Sequence, residues 1–254
     1  MSKQGGILSR YAVVLEAFAA APGGLSLSEV VDATGLPKGT VHRLIGALAG
    51  VGYIAPRDGR KVYVLGPRLL RLLHMGGTPA TVSGLVRPIL DDLAARFRET
   101  AFVAKLAGHE VRSVATAVPD SEDRSYVQPG RVMPLHAAAS AKAIIAFQDD
   151  GLIDDALRHA RAAFTDHTRV DEAIVRADFT QVRRQGFAVC DEELDPGVLS
   201  YACPIHLDGA GVLYSVGIVG LSQRLSRHPQ SEVVAALQDC AERIVACLPG
   251  GDGR

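Results

Sequence analysis

The sequence predicts an α+β protein, with a small N-terminal domain of helices and one hairpin and a larger C-terminal domain of an antiparallel sheet with helices. Apolar residues recur at helical spacing over the first 50 positions, and strand-like runs alternate with helical runs after position 100. The 254 residues also exceed the usual size of one domain. Turn-forming residues divide the chain into a first domain at 1–66, a linker helix at 67–80 and a second domain at 81–254.

The first helix is predicted from Ile7 to Phe18, where apolar residues recur three and four positions apart. A proline and two glycines at 22–24 end it. Its apolar stripe is broad enough to pack against the domain's own core and against a symmetric second copy. We therefore expect a homodimer or a tetramer.

A second helix is predicted to begin after Ser26, because Ser26 and Glu29 have the spacing of a capping box. Gly35 suits the left-handed conformation that ends many helices, and Pro37 is tolerated at the start of the next helix. Only a few residues then join the two helices. Two helices joined by so short a turn are typical of a helix-turn-helix motif.

A third helix follows, and its two faces differ sharply. The apolar residues Val41, Leu44, Ile45 and Leu48 form one stripe that faces the core. The opposite face carries Arg43 among glycines at 39, 46 and 50, with Thr40 on its flank and Lys38 in the first turn. Small residues let such a helix approach DNA closely while the arginine contacts a base or a phosphate. The alternative is an ordinary surface helix, in which each glycine costs about 1 kcal/mol relative to alanine.

Two short strands are predicted next, at 52–54 and 62–65, around a tip with the sequence Arg57-Asp58-Gly59-Arg60-Lys61. The Asp-Gly pair favours a tight hairpin turn, and three cations face one anion there. Such a hairpin could be a solvated loop. After a helix-turn-helix it predicts the wing of a winged helix, whose basic tip contacts phosphates or the minor groove.

Charge is distributed unevenly along the chain. Residues 1–76 hold nine basic and four acidic side chains, a net charge of +5, whereas the remaining eighteen basic and twenty-four acidic side chains give −6. A basic small domain beside an acidic larger one favours nucleic-acid binding by the first domain.

Composition excludes several other classes of protein. No apolar run approaches the eighteen or so residues that span a bilayer, and the first residues lack the apolar core of a signal peptide, so we expect a cytoplasmic protein that does not bind membranes. The four cysteines form no C-x-x-C pair, and we expect no metal or other cofactor. Cys240 and Cys247 are expected to be buried thiols on a C-terminal helix.

The elements of the second domain follow from the same periodicities. A helix is expected at 82–97, and strands and helices then alternate in an order typical of an α+β sheet. Strands are predicted at 101–106, 111–118, 187–190, 200–205 and 212–219, and helices at about 137–147, around Ile153, around Ile174 and at about 229–247.

Several segments together resemble the IclR-type transcriptional regulators. They are residues 24–30, 35–44, 52–53 and 63–66 in the first domain, and 134–143, 186–193, 197–198 and 202–205 in the second. The resemblance implies a winged helix-turn-helix joined by a linker helix to a GAF-like domain that binds a small organic effector. It also implies a homodimer or tetramer on palindromic double-stranded DNA. We expect a repressor of a catabolic operon that senses a small organic acid or a related metabolite. The candidate DNA-binding residues are Lys38, Gly39, Thr40, His42, Arg43, Arg57, Arg60 and Lys61.

The candidate effector site lies where a loop at 134–136 leads into a helix expected to start near Ala137. Backbone amides at the start of a helix can hold a carboxylate, although the small residues there could equally serve close packing. Together with positions carried over from the resemblance, the candidate effector-binding residues are Ala137, Ala138, Ala139, Ser140, Cys190 and Ser200.

Departures from the family pattern bear on the DNA contact and on the effector. Gly39 stands where the family usually has serine, which removes one hydroxyl from the DNA-binding face. In the second domain, Ala138, Ala141, Cys190 and Gly217 occupy positions where relatives place more polar or flexible residues. Lost hydrogen-bonding groups predict an effector less polar than glyoxylate or pyruvate.

The alternative hypothesis is an enzyme that transforms small molecules and carries an accessory nucleic-acid-binding domain. Cys190 and His136 could act as a nucleophile and its base, and Asp191, Glu192 and Glu193 could supply an acid and a base. Three consecutive acids cannot all face one site, and such runs are usually solvated. The chain also lacks a nucleophile elbow and a complete dinucleotide-binding glycine motif. We therefore expect no enzymatic activity.

Overall fold

The computed structural model describes residues 6–57, 61–76, 79–119, 127–158 and 161–248. The chain forms two compact units, Met1–His74 and Met75–Arg254. No helix within the described ranges is long and apolar enough to cross a membrane.

The first unit is a three-helix module followed by a two-stranded hairpin. Its elements are α1 (Ile7–Ala19), α2 (Leu27–Thr34), α3 (Lys38–Gly50), β1 (Ile54–Pro56) and β2 (Tyr63–Leu65), and α4 (Pro67–Gly76) runs on from it. The predicted apolar stripe of α3 packs with Val14 and Phe18 of α1 and Val30 of α2 in one buried core. The capping box of Ser26 and Glu29 is confirmed, and Gly35 ends α2 with a φ of 66°.

The hairpin differs from the sequence prediction in where its first strand begins. The first strand begins at Ile54 and not at Gly52, because Gly52 has a φ of 74°, outside the extended region. The predicted turn residues Asp58, Gly59 and Arg60 lie outside the described residues. Strands β1 and β2 pair antiparallel, with Ile54 opposite Leu65.

The second unit is a six-stranded antiparallel sheet with helices. Its elements are α5 (Pro79–Phe97), β3 (Thr100–Ala107), β4 (Glu110–Ala117), β5 (Val132–Met133), α6 (Ala139–Ile145), α7 (Asp150–Arg158), α8 (Glu172–Gln185), β6 (Ala188–Asp191), β7 (Val198–Leu207), β8 (Gly211–Leu221), α9 (Ser222–Leu225) and α10 (Gln230–Cys247). The strand order is β5-β4-β3-β8-β7-β6, and the predicted fold class is confirmed.

Helices cover both faces of this sheet. The Ser215 hydroxyl donates to the backbone oxygen of Ser140 in α6, 3.0 Å away. Ser215 pairs with Pro204 in the neighbouring strand, so the adjacent Cys203 points to the opposite face, where it lies near Cys240 of α10. Helix α6 therefore packs on one face of the sheet and α10 on the other.

The structure corrects some of the predicted details. Helix α6 begins at Ala139 and not near Ala137, because a turn occupies 135–137 first. Strand β5 and helix α9 were not predicted, since two and four residues are too short to show a periodicity. Cys240 is buried as expected, but Cys247 is exposed, because it lies on the outer side of α10 at its last turn.

Candidate DNA interface and effector cavity

The outer face of α3 is bare around one arginine. Gly39, Gly46 and Gly50 have no atom within 4 Å of the position that a Cβ would occupy, so nothing inside the unit requires glycine there. Arg43 and His42 are exposed, as is Lys38, whereas Thr40 is half-buried. Pro37 precedes the helix and provides no side-chain cap for its first-turn amides. This face can approach a DNA groove closely.

The predicted basic residues of the hairpin have different environments. Lys61 is exposed, and Arg60 lies outside the described residues. The Arg57 guanidinium donates from Nη1 to the backbone oxygen of Gly23, 3.0 Å away. Arg57 therefore ties the hairpin to the loop after α1, although its remaining donors could still meet a phosphate.

A cavity of about 210 Å³ lies in the second unit, beside the start of α6. Five of the six predicted effector residues line it: Ala138, Ala139, Ser140, Cys190 and Ser200. The sixth, Ala137, is fully buried and does not belong to the lining. The remaining lining residues are Phe102, Val127, Arg131, Met133, Leu194, Asp195, Val198 and Val219.

Hydrogen bonds within the chain limit what the predicted polar groups can offer a ligand. The amides of Ala137 and Ala138 both donate to the backbone oxygen of Pro134, so they are not available for an anion as the sequence suggested. The Ser200 hydroxyl donates to the backbone oxygen of Ile218, 2.9 Å away. Toward the cavity Ser200 can therefore only accept a hydrogen bond.

Two exposed charged residues of the cavity were missed by the sequence analysis. Arg131 is the last residue of a turn, which its backbone amide closes by donating to the backbone oxygen of Gln128. Asp195 lies in the loop between β6 and β7, hereafter the β6–β7 loop (residues 192–197). They are 64 positions apart, and no local pattern relates them. A cation and an anion of one cavity can bind a carboxylate and a hydroxyl group of one ligand.

The structure gives a reason for glycine at position 217, and this reason concerns the cavity. It lies opposite Phe102 in the neighbouring strand, and a Cβ at position 217 would come within 2.8 Å of the Phe102 ring. Glycine at this position, where the family pattern predicts a more polar residue, thus leaves room for an aromatic ring of the cavity lining.

The possible nucleophile and base face different cavities. Cys190 lines the first cavity, whereas His136 lines a second one of about 390 Å³ and bonds through Nε2 to the backbone oxygen of Ala162. Burial raises the pKa of the Cys190 thiol to about 11, so the thiolate is scarce at neutral pH. Among the described residues, no group of His, Cys, Asp and Glu side chains is arranged to hold a metal ion.

The acidic run at 191–193 is also unlike the solvated run expected from the sequence. Asp191 is exposed, but Glu193 is only 3% exposed and forms a 2.7 Å ion pair with Lys142 of α6, which is fully buried. A single lysine among apolar residues in a short helix was the available sign that a buried carboxylate must lie nearby.

Comparison with known proteins identifies both units. Residues 8–58 match the IclR helix-turn-helix domain, and residues 79–246 match the bacterial transcriptional regulator IclR C-terminal domain. The chain belongs to the IclR family of transcriptional regulators. This IclR-type chain is 32% identical over 249 residues to the glycerol operon regulatory protein of Streptomyces coelicolor, covering 96% of each chain.

Solved IclR structures have the same fold. A putative IclR regulator from Silicibacter sp. TM1040 matches 97% of each chain, with 25% identity and a TM-score of 0.64. An IclR homologue from Microbacterium hydrocarbonoxydans, complexed with 4-hydroxybenzoate, covers 94% of this chain and 97% of its own, with 21% identity and a TM-score of 0.60. At that identity the likeness concerns the fold alone.

Proposed function

We propose that this IclR-type regulator binds a palindromic operator as a homodimer or tetramer, represses a catabolic operon in the cytoplasm, and responds to a small organic acid. The proposal requires no enzymatic step and no cofactor. The observation that carries its DNA-binding part is the bare face of α3 around Arg43. The effector part depends on the cavity between the start of α6 and the sheet.

In the DNA complex, α3 lies in the major groove with Gly39, Gly46 and Gly50 toward the duplex. Arg43 reaches a base edge or a phosphate from between them, and Lys38, Thr40 and His42 lie near the backbone. Lys61 contacts phosphates from the hairpin, with Arg57 supporting that hairpin through its bond to Gly23. The sequence predicts the same role for Arg60, which lies outside the described residues.

The test is operator binding by Arg43→Ala. Loss of one base or phosphate contact is expected to weaken binding by about 1–3 kcal/mol, measured by electrophoretic titration on an operator from the protein's own promoter. Arg184→Ala is the matched control, because Arg184 is an exposed helical arginine of the second unit. Transcription in vitro from the same promoter should fall when wild-type protein is added. Equal operator affinity for both variants would contradict the placement of α3, and increased transcription would contradict repression.

The proposed oligomer uses the exposed apolar side of α1. Ile7 and Leu8 are 66% and 78% exposed, and Val13 is also exposed on this helix. Burying such side chains against a symmetric copy gains free energy that a monomer does not have. Light scattering without DNA or effector is expected to give a dimer or tetramer. A monomer at micromolar concentration would contradict this part of the proposal.

The proposed effector is an organic acid with an apolar body and a hydroxyl group. Its carboxylate pairs with Arg131, its body packs on Phe102 and its hydroxyl donates to Asp195. The apolar residues that dominate the lining support a body larger and less polar than that of glyoxylate or pyruvate. The 4-hydroxybenzoate bound by a homologue of the same fold supports the same chemistry.

Two variants separate the roles of the charged residues. We expect Arg131→Gln to weaken binding of benzoate and 4-hydroxybenzoate alike, by about tenfold or more, because both lose the carboxylate partner. Asp195→Asn should weaken binding of 4-hydroxybenzoate more than binding of benzoate. Calorimetry over these acids, with glyoxylate and pyruvate for comparison, measures both effects. Tight binding of glyoxylate and pyruvate would contradict the proposed effector class. A failure to bind any of the four acids would contradict it as well.

A further inference from the structure

A buried ion cluster lies beside the cavity. Lys142 is fully buried, and its Nζ lies 2.7 Å from Oε1 of Glu193 and 2.9 Å from Oδ2 of Asp178. Arg169 forms a further ion pair with Asp178, at 3.0 Å. Burying charges costs free energy, and apolar residues of similar size often stabilise a fold at least as well. Stability alone is therefore a weak reason for this cluster.

Its position connects two walls of the cavity. Lys142 belongs to α6, whose first residues Ala139 and Ser140 line the cavity. Glu193 belongs to the β6–β7 loop, whose Leu194 and Asp195 also line it. The bond between Lys142 and Glu193 thus joins the helix and the loop across 51 positions of sequence.

The β6–β7 loop has a conformation that external contacts must hold. Glu192 has a φ of 55°, a left-handed conformation that costs free energy in a residue other than glycine. The hydroxyls of Thr165 and Thr168 donate to the backbone oxygens of Glu192 and Glu193, respectively, and each donor lies 2.6 Å from its acceptor. In addition to these two backbone contacts, Lys142 binds the loop through the side chain of Glu193.

We propose that Lys142 and Glu193 are positioning residues for the effector: their bond sets the distance between the start of α6 and the β6–β7 loop, and so the width of the cavity. This inference rests on the proposed function of the cavity. The alternative is that the pair stabilises the second unit without controlling the cavity.

The cysteines of the chain distinguish these alternatives without any effector. Cys190 lines the cavity, whereas Cys203 and Cys240 are buried between the sheet and α10 and do not line it. Methyl methanethiosulfonate is small enough to enter a cavity that opens. The rate at which it labels each cysteine, measured by mass spectrometry of peptides, reports separately on the cavity wall and on the rest of the unit.

The main comparison is Glu193→Ala against Glu193→Gln in the full-length protein. Burial is the main reason for the raised pKa of Cys190, and the Glu193 charge raises it further; both variants remove that charge and so change the thiol's intrinsic reactivity in the same direction. Glutamine keeps an oxygen that can accept from Lys142, and its nitrogen replaces Oε2, an atom without a hydrogen-bond partner among the described residues. Lys142 keeps Asp178 as a partner in both variants.

We expect Cys190 to be labelled about tenfold faster in Glu193→Ala than in Glu193→Gln, with Cys203 and Cys240 unchanged. Lys142→Met should also accelerate labelling of Cys190, even though loss of the cation raises the pKa of that thiol and slows its reaction. Equal rates in the two Glu193 variants would overturn the proposal. So would a joint acceleration of all three buried cysteines, which indicates a general loss of stability.

Binding of 4-hydroxybenzoate by the same variants completes the test. Weaker binding by Glu193→Ala than by Glu193→Gln is expected if the cavity is the effector site. Faster labelling of Cys190 without any binding of organic acids would support the positioning role and contradict the proposed effector. The labelling experiment can therefore contradict the positioning role without contradicting the proposed effector, and the binding experiment can do the reverse.

Discussion

Helices α3 and α6 have similar compositions and opposite environments. Each places small residues around a long basic side chain within the helix, Arg43 in α3 and Lys142 in α6. In α3 the small residues face outward, and Arg43 is exposed and in no ion pair with another described residue. Every residue of α6 is buried, and Lys142 has two carboxylate partners. A cation among small residues can thus be exposed to solvent, as in α3, or be buried in ion pairs that join two segments of the chain, as in α6.

The first way to test this contrast is to remove the buried cation, and it has the largest expected effect. Lys142→Met leaves Glu193 buried without its cation, and loss of such a partner typically costs about 3–5 kcal/mol near neutral pH. Burial already raises the pKa of Glu193, while Lys142 and Arg169 lower it and Asp178 raises it. Without Lys142 the pKa of this carboxyl rises further.

The sign of the pH dependence follows from this shift. Between the ordinary pKa of a glutamate and the raised pKa, the folded variant binds a proton that the unfolded chain does not. The contribution of this carboxyl to the variant's stability is therefore fully present below the ordinary value, and it is lost as the pH rises through the raised one. Urea unfolding at about pH 5 and about pH 8 measures this difference. The double variant Lys142→Met/Glu193→Gln should lose most of the extra pH dependence, and a single variant equally destabilised at both pH values would contradict the argument.

The same contrast explains what the sequence could and could not predict. The stripe of α3 and the capping box of Ser26 and Glu29 depend on residues within one or two helical turns, so their periodicity suffices. Arg131, Phe102 and Lys142 enter or support the cavity through contacts with residues far away in sequence. The pairing of β3 with β8, which brings Phe102 opposite Gly217, has no local pattern of its own. Five of the residues predicted to bind an effector do line the cavity, because the family resemblance marked their segments.

The second test concerns the bare face of α3, through Gly46→Leu. A Cβ added at position 46 meets no atom within 4 Å, and leucine favours a helix over glycine by roughly 0.8 kcal/mol. The variant is therefore expected to unfold at an unchanged or higher temperature. Its operator binding should nevertheless fall by about a hundredfold, because the side chain stands between the helix and the groove.

Gly84→Leu is the matched control for this experiment. Gly84 is an exposed helical glycine in α5 and also has nothing within 4 Å of a Cβ position. Replacing it by leucine gains the same helical preference in the other unit. The operator affinity of the Gly84→Leu variant should match that of the wild type. If Gly46→Leu bound the operator as well as Gly84→Leu does, the outer face of α3 could not lie in the groove.

The smallest expected effect comes from restoring the hydroxyl that the family usually has at position 39. Gly39→Ser adds a donor in the first turn of α3, where no atom lies within 4 Å of a Cβ position. A typical hydrogen bond contributes a net gain of roughly 0.5–1.5 kcal/mol once both groups have lost their bonds to water, so operator affinity should rise by about two- to tenfold. Because the added group carries no charge and releases no counterion, the slope of log affinity against log salt concentration should stay the same. Titrations at several salt concentrations, with Gly84→Ser as control, measure both quantities. An unchanged affinity would show that the start of α3 lies too far from the DNA backbone for this contact, and a steeper slope would show that the substitution had repositioned one of the basic residues.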